Sequence, residues 1–145
     1  MKKLSILLVL IIVLSLLCGC GKKGGYATPE DAVKAFIQST TGDEELFKSS
    51  VHPNMLEYLM QIFFYPGAEI RINKIFVKSS TDILGDKLAD KQQDYQDDFG
   101  IKVTKASIVK VLVNYYDYRE CEEQAIEHDV LALYVDGAWY ACGWS

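Results

Sequence analysis

Asp136-Gly137 lies between two runs rich in apolar and β-branched residues, Ala125 to Val135 and Ala138 to Trp144. A two-residue Asp-Gly link between such runs specifies a type I′ hairpin turn, whose twist matches that of the strands it joins. The turn demands a positive φ at Gly137, which glycine adopts without a Cβ clash. It also sets a register. Val135 faces Ala138, and counting pair by pair from there puts Cys142 opposite Leu131. The C-terminus is therefore an antiparallel pair, and the rest of the fold has to build on it.

Upstream, residues 101–118 form a long segment dominated by Val103, Ile108, Val109, Val111, Val113 and Tyr115, as a strand requires. Arg119-Glu120-Cys121-Glu122-Glu123 breaks it. Residues 69–78 alternate through Ile70 and Ile72, then Ile75 and Val77. The phase slips at Asn73-Lys74, which predicts a bulge. Ser79 to Asp82 is expected to be a turn or cap.

Helical signals precede the strands. Thr28 is a good N-cap, with Pro29 at the first helical position and Asp31 placed to close a capping box. Ala32, Val33, Phe36 and Ile37 follow on one face, and Thr40-Thr41-Gly42 ends the helix. Asp43 caps a short second helix with Leu46, Phe47 and Val51 turned inward. After His52-Pro53, a third helix from about Pro53 to Phe64 carries Met55, Leu56, Leu59, Met60, Ile62 and Phe63 over a wide arc. In residues 83–99, Leu84, Leu88, Tyr95 and Phe99 keep helical spacing, with Gln92 in the stripe and Asp86, Asp90 and Asp94 on another face. A solvated helix and a long polar loop both fit. Helices first and antiparallel strands after give an α+β class, with N-terminal helices packed in a curved, mostly antiparallel, cone-like sheet.

The N-terminus has a different character. Met1-Lys2-Lys3 is a short basic region, and Leu4 to Leu17 is apolar apart from two serines. That is the length and flank of a secretory signal, and it is short of the roughly 20 apolar residues a spanning helix needs. Leu17-Cys18-Gly19-Cys20 resembles the bacterial lipobox: an aliphatic residue, a small one, then Gly before Cys. The resemblance implies cleavage between Gly19 and Cys20 and transfer of diacylglycerol to the Cys20 thiol. Two or more acyl chains, palmitate among them, would anchor the protein stably, where one would not. The expected organisation is a signal peptide over 1–19, a lipidated Cys and flexible tether over 20–26, and one domain over 27–145. The protein would be exported and anchored to the bacterial cell membrane. In a Gram-negative cell, Gly21 rather than Asp after Cys20 favours the outer membrane.

Charge narrows the partners. The formal charge is −5, and losing Lys2 and Lys3 with the signal takes it to −7. Nucleic acid needs a basic patch that this chain lacks, and a broad membrane-lying face is disfavoured too. The lipid bilayer is expected as partner through acylated Cys20. Lys22-Lys23 either rests on anionic headgroups or is simply solvated linker.

Thr28-Pro29-Glu30-Asp31-Ala32-Val33-Lys34-Ala35-Phe36 and Asp136-Gly137-Ala138-Trp139-Tyr140 stand at the two ends of the domain. Together they resemble the small bacterial lipoproteins of unknown function with a nuclear-transport-factor-two-like fold, also called cystatin-like or ketosteroid-isomerase-like. Such members open with Thr-Pro-Glu and close with an Asp-Gly-Lys-Trp-type hairpin; Ala138 replaces that Lys here. The resemblance implies a cone with an opening at one end. Some relatives bind small apolar ligands there, some are enzymes, and many serve as assembly domains.

Few residues suggest chemistry. Asp117 with Tyr115, Tyr116 and Tyr118 supplies the residue types of an isomerase-type site, a carboxylate base plus donors for an enolate oxygen. Strand alternation puts Asp117 and Tyr115 on one face and Tyr116 on the other. Packing at a cone mouth needs the same residues. Asp86, Asp90, Asp94 and Asp97 recur along one segment, but calcium needs oxygens converging from a loop, so a solvated face is the better account. His52 and His128 have no partner at ligand spacing. Tyr134, Trp139, Tyr140 and Trp144 suit either packing or a groove. No Gly-rich phosphate loop or nucleophile elbow occurs. Cys121 and Cys142 are expected to be free thiols, far apart along the sheet, with Cys142 the better buried.

The sequence thus assigns no catalytic residue, metal or cofactor. Tyr115, Asp117, Tyr134 and Trp139 are the candidate lining of a cone mouth. The expected function is a binding module for a protein partner or small apolar ligand. The alternatives are an isomerase- or dehydratase-type enzyme and an assembly domain without ligand.

Overall fold

A computed structural model of the chain describes residues 24–145. The expected signal peptide, the lipobox-like Leu17–Cys20 stretch and the expected Gly19/Cys20 cleavage point lie outside the described residues. The class is α+β: the described residues form four α-helices and one four-stranded antiparallel sheet in the order β1-β2-β3-β4. The elements are α1 (Pro29–Ser39), α2 (Glu44–Ser50), a 3₁₀ turn (Pro53–Met55) and α3 (Leu56–Phe63). Then come β1 (Ile70–Ile83), α4 (Gly85–Phe99), β2 (Lys105–Asp117), β3 (Glu122–Val135) and β4 (Ala138–Trp144). Among the described residues no helix is long and apolar enough to cross a membrane.

Capping starts the helices where the sequence places them. Thr28 Oγ1 accepts the Asp31 N–H at 3.2 Å, and Asp43 Oδ1 accepts that of Leu46 at 2.9 Å. Each satisfies an amide that the helix leaves without a partner. Ala32, Val33, Phe36 and Ile37 are all buried, as are Phe47 and Val51. They share one hydrophobic cluster with Met55 and Leu59 and with Val109, Val111, Val130 and Leu133 of the sheet. Phe36 and Phe47 are fully enclosed, so truncating either to Ala is worth about 3–5 kcal/mol. The third helix starts later than its apolar pattern suggests. Pro53 heads a 3₁₀ turn instead, capped by His52 Nδ1, which accepts the Asn54 N–H at 3.2 Å. Ile62, expected inside, is 36% exposed.

Residues 85–99 are helix. Leu88, Tyr95 and Phe99 pack against the core, and Gln92 Nε2 donates to the Val103 carbonyl at 3.0 Å. That bond explains how a polar residue holds a place in the apolar stripe. Leu84 precedes the helix and is exposed.

The C-terminal hairpin has the expected turn, with φ of 51° at Asp136 and 86° at Gly137. Val135↔Ala138, Tyr134↔Trp139, Leu133↔Tyr140 and Ala132↔Ala141 pair as counted. The count then slips, and Val130 pairs with Trp144. Gly143, at φ 99°, takes up the extra residue, and the Phe63 ring fills the space a Cβ would need. β1 slips at Asn73 as expected and again between Val77 and Ser79. Ser79–Asp82 is not a turn. It continues β1, because residues 107–110 of β2 offer it a full set of partners. β3 likewise begins at Glu122 rather than Ala125. Cys121 adopts φ 56°, so the β2–β3 link is tight enough for Glu122 to face Asp117.

Candidate functional site

Alternation along the sheet gathers one row of side chains into a cleft. Ile72↔Tyr115↔Gln124 and Ile75↔Val113↔Ile126 are successive rungs, and Val111↔His128 is the next. Tyr115, Val113, Ile126 and His128 therefore share a face. Ile37 and Thr40 from the end of α1 and Ile62 and Phe63 from the end of α3 complete the walls, with Trp144 from β4. Thr40 accepts the Tyr65 N–H at 2.7 Å, which ties the exit of α3 to that of α1. The cleft encloses about 530 Å³, within the range of small-molecule sites. Of the large hydrophobic residues left exposed, Ile62, Tyr65, Ile126 and Trp144 all border it.

One wall is aromatic. Trp144 stacks on His128 at 4.0 Å between centroids, 9° from parallel. Edge contacts to Phe63 at 5.6 Å and Phe36 at 6.1 Å fix its other sides. Burial pushes the His128 pKa below its ordinary value, so the imidazole is neutral at neutral pH. Charge is confined to the far end. Asp117 Oδ1 accepts the N–H groups of Arg119 at 2.9 Å and Glu120 at 3.3 Å. Its Oδ2 lies 3.6 Å from Arg119 Nη2, and Arg119 Nε lies 3.6 Å from Glu69 Oε2. The Arg119 amide bond, then that from Glu120 and the guanidinium, hold the Asp117 pKa below the usual carboxylate range. Such a carboxylate caps a turn well and is a weak proton acceptor, opposite to the tuning a general base needs. Tyr115 donates its hydroxyl to Gln124 Oε1 at 3.0 Å.

Two of the four expected mouth residues, Tyr115 and Asp117, are thus in the cleft wall. Tyr134 and Trp139 are not. They pair with each other at 5.3 Å between centroids, and Lys105, twelve residues from Asp117 along β2, is the rung partner of Tyr134. That is about 40 Å of straight strand. Trp139 instead bridges to Tyr26. Trp144, which the sequence leaves between packing and a groove, is in the wall; the residues passed over are Arg119 and His128, the latter weighed only as a metal ligand. For His128 the signal was its alternation with Ile126 on an inward-facing row.

His52 caps its turn and stands edge-on to Tyr140 at 5.2 Å. Among the described residues, no group of three or more His, Cys, Asp or Glu is placed to hold a metal. Cys121 and Cys142 are both free, Cys121 exposed and Cys142 partly buried, and burial pushes the Cys142 thiol pKa up. No protein-family model, curated protein or solved structure matches this chain.

Proposed function

We propose that this protein is a membrane-anchored bacterial lipoprotein whose domain is a binding module for a small, mainly apolar ligand. The observation that carries the binding reading is a cleft of about 530 Å³ with apolar walls, rimmed by exposed Ile62, Tyr65, Ile126 and Trp144. Soluble domains seldom leave such residues together without a use for them. A cone of the nuclear-transport-factor-two-like kind, with the sheet curved around α1, would place its opening here. The enzyme alternative draws on Tyr115 and Asp117 sharing the wall, but the low pKa of Asp117 favours binding over proton abstraction.

The anchor gives this reading a direction. The Tyr140 hydroxyl donates to the Gly24 carbonyl at 2.9 Å, Gly25 N–H donates to Ser49 O at 2.7 Å, and Tyr26 bridges to Trp139. A lipid on Cys20 would therefore hold the Trp139 end of the sheet near the bilayer. Asp117 and the cleft mouth would face away from it, toward soluble ligands.

The test is titration of the full chain with the neutral apolar fluorophore N-phenyl-1-naphthylamine. Saturable enhancement, abolished by Ile126→Lys at an unchanged melting temperature, is the expected result. Ile126 is 42% exposed, so a lysine there is compatible with folding. Enhancement that survives the substitution would place binding elsewhere.

A further inference from the structure

The cleft is apolar along its length, and its formal charges gather at one end. His128 at the Trp144 end is neutral at neutral pH. At the other end Arg119 lines the cleft and lies 3.6 Å from each of two carboxylates, Asp117 in the wall and Glu69 just outside it. One guanidinium cannot balance both, so the trio carries one excess negative charge. The surrounding turn adds to it: Glu120 follows Arg119, and Glu122 faces Asp117 across the sheet. An incoming carboxylate or phosphate would meet this field as a like charge, because the single positive charge of Arg119 is shared between two carboxylates. An ammonium would meet it as an opposite charge.

We infer that the cleft selects a cationic amphiphile: a small molecule with an apolar body lying along Trp144, Ile126 and Val113, and an amine at the Glu69–Arg119–Asp117 end. This rests on the proposed binding function and names the ligand class of the same site. Volume favours a small molecule over a peptide, because about 530 Å³ is the space of one compact ligand. The charged end is solvated, since Arg119 and Glu69 side chains are 67% and 64% exposed. Selectivity is therefore moderate and salt-dependent. Unit charges about 6 Å apart in water give roughly tenfold between a cation and an anion.

The experiment compares octylamine, octanoate and octanol, which share one apolar body. The chain has two Trp residues, so Trp139→Phe leaves Trp144 in the cleft wall as sole reporter. Calorimetric titration of the unsubstituted full chain gives the same ranking without relying on that variant folding. At low ionic strength octylamine is expected to bind about tenfold tighter than octanoate, with octanol between them. Glu69→Gln neutralises the trio and should lower the ratio severalfold, and salt at about 1 M should bring it toward one. Octanoate binding as tightly as octylamine, or a ratio unmoved by Glu69→Gln, overturns the inference while leaving a binding cleft. Failure of all three compounds overturns the binding reading as well. Trp144 emission that shifts with protein concentration alone means a second copy fills the cleft, and the inference falls.

Discussion

Two glycines with similar backbones offer a clean separation of strain from packing. Gly137 (φ 86°) and Gly143 (φ 99°) both sit where an L side chain is disfavoured. At Gly137 an added Cβ meets nothing within 4 Å. At Gly143 it would lie 2.5 Å from Phe63 Cε2 and 2.6 Å from Cζ. Alanine at Gly137 should therefore cost only the left-handed penalty of about 1–2 kcal/mol. The stiffer unfolded chain returns about 0.4–1 kcal/mol of that, leaving a loss of roughly 1 kcal/mol. Alanine at Gly143 adds overpacking, typically about 1–3 kcal/mol, because the Phe63 ring must leave its edge contacts with Phe36 and Trp144 to make room. The expected total is about 2–4 kcal/mol. With a urea slope near ~1.5 kcal/mol/M, Gly137→Ala lowers the midpoint by ~0.7 M and Gly143→Ala by ~2 M. Phe63→Leu in the Gly143→Ala background should recover much of the difference, appearing as a coupling energy in the double-mutant cycle. Equal losses from the two single substitutions would refute the argument. Phe63 would then not occupy that space, and the bulge would have another cause.

Cys20→Ser should abolish labelling by palmitate and move the protein out of the detergent phase; continued labelling would mean that Cys20 is not the anchor. A thiol reagent should modify Cys121 in the native protein and Cys142 only on unfolding, read by intact mass, because Cys121 is exposed and Cys142 is not. Acidification should destabilise the fold in two windows. His52 and His128 have folded pKa values lowered by burial, so the unfolded chain binds protons first and stability falls as pH drops below about 6.5. Asp117, also lowered, stabilises above its unfolded value near 3.8, and that contribution is lost as pH falls through its folded value. Melting temperatures at pH 8, 5 and 3 check both windows, and His128→Gln should flatten the first.

Local chemistry carried most of the fold. Thr28, Asp43 and the Asp136-Gly137 turn act within a few residues of themselves, so their effects are readable from the chain alone. The departures have a common origin in distant partners. Ser79–Asp82 looks like a turn because it is polar, yet β2 extends far enough to pair it. Glu122 and Glu123 look like a break, yet they complete rungs with Asp117 and Tyr116. The segment 83–99 left helix and loop open because its stripe contains Gln92, whose partner, the Val103 carbonyl, lies beyond the segment.

The cleft was half legible for the same reason, and Trp144 shows how. Unbroken alternation from the Val135↔Ala138 pair groups Trp144 with Tyr140 and Cys142. The bulge removes it from that group. Ala141 and Trp144, three residues apart, oppose Ala132 and Val130, two apart, so Trp144 crosses to the face of Ala141. There it meets His128, Phe36 and Phe63 and closes the cleft. The strand's own sequence shows only a glycine at position 143. What makes that glycine necessary is the Phe63 ring, delivered by α3 from much earlier in the chain. Tyr115 and Asp117 needed no such information, because an unbroken β2 places them by parity. A wall residue on a regular strand is readable from its own segment. One whose face is decided by a bulge against a helix becomes readable only once the helix is in place.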